Sequence, residues 1–171
     1  MKELILGGVR SGKSRLAEAR ARESGLEVIY LATARALDDA EMQRRIEHHR
    51  RQRPVHWQTF EEPVALADCL LRLAANQRCI IVECLTMWLT NLLCEDKGTR
   101  LEAQREALLA ALLTAPGYII LVSNECGLGI SPLGELTRRF VDEAGQLHQR
   151  LASLCDRVTL SVAGLPLSVK S

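Results

Sequence analysis

Eight residues near the start of the chain, Gly7-Gly8-Val9-Arg10-Ser11-Gly12-Lys13-Ser14, satisfy the spacing G-x-x-x-x-G-K-[ST]. They follow the apolar run Leu4-Ile5-Leu6 and open a helix-like stretch, the context in which this pattern forms a phosphate-binding loop. Glycines there let backbone N–H groups crowd around a polyphosphate, and the start of the next helix adds the positive end of its dipole. Lys13 is spaced to reach the terminal phosphates, and the Ser14 hydroxyl to hold Mg²⁺. The expected ligand is a nucleoside triphosphate.

A second candidate group lies where the apolar run Cys79-Ile80-Ile81-Val82 ends in Glu83. An acid at the tip of a buried strand in a phosphate-loop protein is where a Mg²⁺-holding carboxylate belongs. The competing role is a carboxylate that caps the following helix, which favours the same residue type. The run Tyr118–Val122 continues into Ser123-Asn124-Glu125-Cys126-Gly127-Leu128-Gly129-Ile130, which reads either as a pocket-lining loop or as a plain turn. Thr33, after Val28–Ala32, points the same way more weakly.

Between Arg44 and Arg53 the chain carries five arginines (Arg44, Arg45, Arg50, Arg51 and Arg53) with His48 and His49 against a single acid, Glu47. One account is a solvated basic helix with incidental histidines. The chemical account is that the arginines gather phosphates while a neutral histidine attacks one, because neighbouring positive charge disfavours the imidazolium. Composition does not choose between His48 and His49. His56, before Trp57 in a loop, and His148, in a long C-terminal helix, read as structural.

These groups need a scaffold. Apolar runs at Leu4–Leu6, Val28–Ala32, Cys79–Val82, Tyr118–Val122 and Val158–Val162 are continuous and not alternating, so they predict strands buried on both faces. Helical patterns lie between them, near Lys13–Glu23, Asp39–Arg51, Pro63–Ala74, Thr86–Leu93, Arg100–Leu113 and Leu133–Leu154. Such alternation predicts an α/β fold with a mostly parallel sheet, helices on both faces, and a ligand site at the carboxyl ends of the strands. The segment Asp96-Lys97-Gly98-Thr99 reads as a helix–helix turn, so residues 1–171 are expected to form a single catalytic domain.

Composition narrows the class. With 22 basic and 21 acidic residues the net charge is +1, so no global field favours nucleic acid or a membrane surface. Six scattered cysteines without a C-x-x-C pair read as reduced core residues and not as a disulfide or zinc framework. No apolar run approaches the roughly 20 residues of a membrane span, and the start of the chain runs straight into a strand without a signal-peptide core, so a cytoplasmic location is expected.

Taken in order, GGVRSGKS, R-I-E-H-H-R-x-x-R-P, W-Q-T-F-E, V-E-C-L-T-M-W-L-T-N-L-L, V-S-N-E-C-G-L-G-I-S-P and R-F-V-D-E-A-G-Q-L-H-Q-R-L-A span essentially the whole chain. Together they resemble the bifunctional adenosylcobinamide kinase / adenosylcobinamide-phosphate guanylyltransferases of cobalamin nucleotide-loop assembly. The resemblance implies a RecA-like P-loop NTPase fold and a homotrimer. It also implies two consecutive reactions: phosphorylation of adenosylcobinamide by ATP or GTP, then transfer of GMP from GTP through a guanylylated histidine to give adenosylcobinamide-GDP. Carried over by position, Gly7 to Ser14 is the phosphate loop and His49 is the guanylylated histidine. Arg50, Arg51, Gln52 and Arg53 match an adjoining nucleotide-contact segment, and Ala32, Thr33 and Ala34 match a strand-end contact. Glu61 matches the acid of W-x-T-x-E, and Glu83 a strand-end acid that is often Asp in the family; with Ser14 it is the expected holder of Mg²⁺.

A physical requirement supports pairing these motifs: a phosphate loop suits γ-phosphoryl transfer, whereas nucleotidyl transfer attacks the α-phosphorus and needs a nucleophile elsewhere. Two other classes compete. A plain small-molecule kinase would use the phosphate loop and Glu83 alone, with the basic helix as a clamping lid. A regulatory GTP switch lacks support, because no N-K-x-D occurs and the D-x-x-G at Asp142-Glu143-Ala144-Gly145 falls in a helical pattern.

Overall fold

The computed structural model describes residues 1–35, 43–44, 54–95 and 97–171. In chain order its elements are β1 (Lys2–Gly7), α1 (Lys13–Glu23), β2 (Glu27–Ala32), β3 (Gln58–Glu61), α2 (Leu66–Leu73), β4 (Arg78–Glu83), α3 (Leu85–Glu95), α4 (Leu101–Thr114), β5 (Tyr118–Asn124), α5 (Glu135–Leu154), β6 (Arg157–Val162) and β7 (Leu165–Lys170). The strands form one seven-stranded sheet in the order β3-β2-β4-β5-β1-β6-β7. Every pairing is parallel except β6 with β7.

Alternate residues of the central strands feed two apolar layers, as a strand buried on both faces requires. Leu4, Leu31, Val82 and Leu121 pack with Leu70, Trp88, Leu92, Leu108 and Leu151, so α2, α3, α4 and α5 cover one face. Ile5, Tyr30, Ile81 and Ile120 pack with Ala17 and Ala21 of α1 on the other. Trp88 is fully buried and its indole N–H donates to the Val64 carbonyl at 2.9 Å, which satisfies the one polar group of a side chain whose burial contributes about 2–3 kcal/mol.

All five strands expected from apolar runs are present, and two more join the sheet. β3 is a short, mostly polar edge strand, and β7 is an exposed antiparallel edge interrupted by Pro166, so neither carries the continuous apolarity of a buried strand. The expected helix from Pro63 begins instead at Leu66, because Glu62 Oε1 accepts the backbone N–H groups of Val64 and Ala65 and holds them in a turn. The expected helix over Asp39–Arg51 lies outside the described residues, apart from helical Gln43 and Arg44. Residues 97–100 form the turn between α3 and α4, Asp96 lying outside the description. All six cysteines are free, and Cys69, Cys79 and Cys155 are buried; Cys94 and Cys126 are exposed, correcting the expectation of a core role, because one ends α3 and the other sits in the loop after β5.

Candidate phosphate-binding and catalytic site

β1 delivers its last residue, Gly7, to the carboxyl edge of the sheet, and α1 starts six residues later with Gly12 at its N-cap. The turn between them leaves no room for side chains at its two ends. A Cβ on Gly7 would collide with Ser11 Oγ and stand 2.7 Å from the Ser161 carbonyl; Gly12 has φ +94°, and a Cβ there would lie 3.0 Å from Gly164 Cα. The loop closes on itself through Ser11 N–H to Gly8 O at 3.2 Å. It is buttressed from the end of β6 and the turn after it, where the Ser161 hydroxyl and the Gly164 N–H each donate to Ser11 O at 2.8 Å.

Within this frame Lys13 is 8% exposed and its Nζ donates to Gly8 O at 3.1 Å, so the ammonium is folded over the loop. The first turn of α1 contains no acidic residue, which leaves the N-terminal dipole and its N–H groups for an anion. Val9 and Arg10 form the exposed crest, and Arg10 adopts φ +57°.

Glu83, the last residue of β4, stands opposite Ala32 on one side and Val122 on the other. Its Oε1 accepts a hydrogen bond from Ser14 Oγ, and its Oε2 accepts one from the Tyr30 hydroxyl at 2.7 Å. Both oxygens therefore engage side chains across the sheet edge, unlike the helix-capping role. The sequence reading missed Tyr30. Its signal was a phenol, which must find a partner, inside an otherwise apolar strand.

Neighbouring strand ends continue the line. Thr33 is fully buried, its N–H donating to Glu83 O at 3.0 Å and its Oγ1 to Cys84 O at 2.7 Å. Asn91 Nδ2 donates to the carbonyls of Thr33 at 2.8 Å and Pro63 at 3.0 Å, pinning the exit of β2, so Ala32, Thr33 and half-buried Ala34 lie beside Glu83. Glu61 ends β3 opposite Ala32 and is exposed. On the other side Asn124 pairs in register with Gly7 and donates to Thr86 Oγ1 at 3.1 Å. Burial raises the Cys84 thiol above its ordinary range, which keeps it protonated and unreactive beside the acid.

The structure thus brings together Gly7 to Ser14, Ala32 to Ala34, Glu61 and Glu83 along one sheet edge. His48, His49, Arg50, Arg51, Gln52 and Arg53 lie outside the described residues. His56 is exposed, its ring edge-on to Trp57 at 6.3 Å between centroids, and His148 is buried. The D-x-x-G at Asp142–Gly145 lies within α5, away from any strand end. Among the described residues no cluster of three or more His, Cys, Asp or Glu could hold a metal, and no helix is long and apolar enough to cross a membrane.

A parallel sheet whose first strand enters a G-x-x-x-x-G-K-S loop, with an acid at the tip of another strand, defines a P-loop NTPase fold. Solved structures agree on the fold: the RadB recombinase superposes with a TM-score of 0.54 at 16% identity over 93% of this chain and 73% of its own. A type III secretion ATPase does so with a TM-score of 0.55 at 14% identity, over 98% and 56%.

The model of the family described as cobinamide kinase / cobinamide phosphate guanyltransferase matches residues 3–169, and the chain belongs to that family. It is 62% identical over 170 residues to the bifunctional adenosylcobalamin biosynthesis protein CobP of Pseudomonas aeruginosa, covering 99% of this chain and 98% of the relative. To the bifunctional adenosylcobalamin biosynthesis protein CobU of Escherichia coli K12 it is 39% identical over 180 residues, covering 98% of each. The chain is accordingly a bifunctional enzyme of adenosylcobalamin biosynthesis, with cobinamide kinase and cobinamide phosphate guanylyltransferase activities.

Proposed function

We propose that the two activities are consecutive transfers to one corrinoid. In the first, a nucleoside triphosphate, ATP or GTP, seats its β- and γ-phosphates in Gly7–Ser14; the hydroxyl oxygen of adenosylcobinamide bonds to the γ-phosphorus, the P–O bond to the β-phosphate breaks, and the nucleoside diphosphate and the hydroxyl proton leave. Lys13 and the α1 N-terminus stabilise the charge that spreads over the phosphoryl oxygens. Ser14 and Glu83 offer a hydroxyl and a carboxylate oxygen side by side at the loop, a donor set that suits a hard divalent cation, and these residues would hold Mg²⁺. Bound there, the cation supplies neutralisation of the phosphate charge. Tyr30 keeps the second carboxylate oxygen of Glu83 turned away from that position.

In the second transfer a ring nitrogen of His49 attacks the α-phosphorus of GTP; a P–N bond forms, the P–O bond to the β-phosphate breaks and pyrophosphate leaves. A phosphate oxygen of adenosylcobinamide phosphate then attacks the same phosphorus, the P–N bond breaks and the histidine is returned, giving adenosylcobinamide-GDP. Arg50 to Arg53 gather the phosphates during this exchange, with Ala32, Thr33, Ala34 and Glu61 as nucleotide contacts. Residues 1–171 act as one catalytic domain, in the cytoplasm and as a homotrimer.

The observation that carries the phosphoryl-transfer half of this reading is the Ser14–Glu83–Tyr30 oxygen cluster poised beside Gly7–Ser14. The test is incubation with α-labelled GTP. Acid-labile, base-stable label on the wild type, lost in His49→Ala while kinase turnover is retained, is expected. Label lost in His48→Ala and kept in His49→Ala moves the nucleophile by one residue, and an unlabelled wild type favours the plain kinase.

A further inference from the structure

The end of β5 carries a buried side-chain relay that the phosphate chemistry above does not use. Ser123 and Glu125 are two residues apart at a strand end, so they face the same side. His148 of α5 reaches both: its Nε2 lies 2.7 Å from Ser123 Oγ, and its Nδ1 3.9 Å from Glu125 Oε2. Acid, imidazole and hydroxyl in this order would suit a nucleophile, but Ser123 is 0% exposed and cannot meet a substrate.

What the relay does touch is the origin of the phosphate loop. Ser123 pairs in register with Leu6 and Asn124 with Gly7, and the Glu125 N–H donates to Gly7 O at 3.0 Å. The remaining oxygen of Glu125, Oε1, accepts the Gly127 N–H at 2.6 Å and fixes the turn by which the chain leaves the site. Gly7 is therefore held on its β5 side by a residue whose carboxylate approaches His148.

The geometry points to His148 as a positioning residue for phosphoryl transfer: by bracing Ser123 through a hydrogen bond, with the Glu125 carboxylate close to its other nitrogen, it holds the tip of β5 against Gly7, and through Gly7 it sets where Gly8 and Lys13 stand. The inference rests on the reading of residues 7–14 as the kinase phosphate site. Lys13 is anchored to the Gly8 carbonyl, so a displacement of Gly7 carries the ammonium with it. Misplacement on the order of 1 Å is enough to cost about a hundredfold in rate. A neutral imidazole suits this setting: Nε2 shares a hydrogen bond with Ser123 Oγ, Nδ1 stands 3.9 Å from Glu125 Oε2, beyond hydrogen-bond reach, and burial lowers the pKa of His148 against the opposing pull of Glu125.

Kinase turnover of the full-length enzyme with adenosylcobinamide and GTP tests this in His148→Leu, His148→Gln, Glu125→Gln, the pairwise combinations and Lys13→Ala. His148→Leu is expected to lower kcat about tenfold or more, with the KM for GTP within about threefold and cooperative unfolding retained. His148→Gln, which keeps a hydrogen-bonding amide, restores most of the rate. The Leu–Gln double variant loses no more than its worse parent, because both changes act through one strand tip. An unchanged kcat in His148→Leu, or losses that multiply in the double variant, overturns the proposal. Should His148→Leu not fold, the double variant of His148→Gln with Glu125→Gln is decided by the same criterion. Kinase activity that survives Lys13→Ala refutes the phosphate-loop reading and this inference with it; loss in Lys13→Ala without loss in His148→Leu refutes only the role of His148.

Discussion

The Tyr30 hydroxyl donates to Oε2 of Glu83 at 2.7 Å while Ser14 donates to the other oxygen of the same carboxylate. Tyr30 and Glu83 sit on neighbouring strands, with Ala32 opposite Glu83, so the carboxylate is aimed by the register of β2 against β4 and not by a loop. Tyr30→Phe removes one oxygen from a side chain that is 1% exposed and leaves its packing intact. Expected are a stability loss of about 1 kcal/mol and a roughly tenfold fall in kinase turnover with a raised Mg²⁺ requirement. Thermal unfolding and a Mg²⁺ titration of the rate check both; an unchanged titration would separate Tyr30 from the function of Glu83.

Glu83→Gln keeps the shape and removes the charge. Kinase turnover should drop about a hundredfold or more while nucleotide affinity, measured by equilibrium binding, changes modestly. A full rate at saturating Mg²⁺ would return Glu83 to a purely structural part.

Gly12 and Gly8 make a controlled contrast inside one loop. Gly12→Ala places a Cβ at φ +94° and 3.0 Å from Gly164 Cα, whereas a Cβ on Gly8 meets nothing within 4 Å. The first change should cost about 1–3 kcal/mol, lowering Tm by several degrees, and the second should leave Tm nearly unchanged. Equal Tm values for the two variants would contradict the described loop.

His148 gives stability a pH signature. Burial, its largest influence, lowers the folded-state pKa below 6.5, and Glu125 opposes this. The unfolded chain therefore binds the proton first as pH falls, so stability contributed by the neutral ring is complete above pH ~6.5 and declines on acidification toward the folded pKa. The difference in Tm between wild type and His148→Gln should be constant above neutrality and shrink as pH falls below about 6.5. A difference that grows on acidification would reverse the sign assigned to this histidine.

Most of the scaffold was legible because buried parallel strands and amphipathic helices write long, periodic signals: Ile80 to Val82 and Ile119 to Val122 could be little else. Edge strands were not, since Gln58–Glu61 and Leu165–Lys170 owe their conformation to a neighbour and not to apolar content. The meeting of Gly7–Ser14 and Glu83 at one sheet edge was legible because each stands where a buried apolar strand ends and a helix follows, a pattern written locally in the sequence. Tyr30, Ser161 and Gly164 were not, because each contributes through a partner 53, 150 or 153 positions away in sequence, a relation no local pattern encodes.

The buttress on Ser11 O has a consequence for biosynthesis of the enzyme itself. A chain made from its amino end presents the G-x-x-x-x-G-K-S motif well before Ser161, which lies 150 positions after Ser11, and Gly164, the two residues that donate to Ser11 O. A nascent chain halted before β6 carries the motif without these two donors, so the Ser11 carbonyl gains its support only after β6 and the turn that follows it have been made.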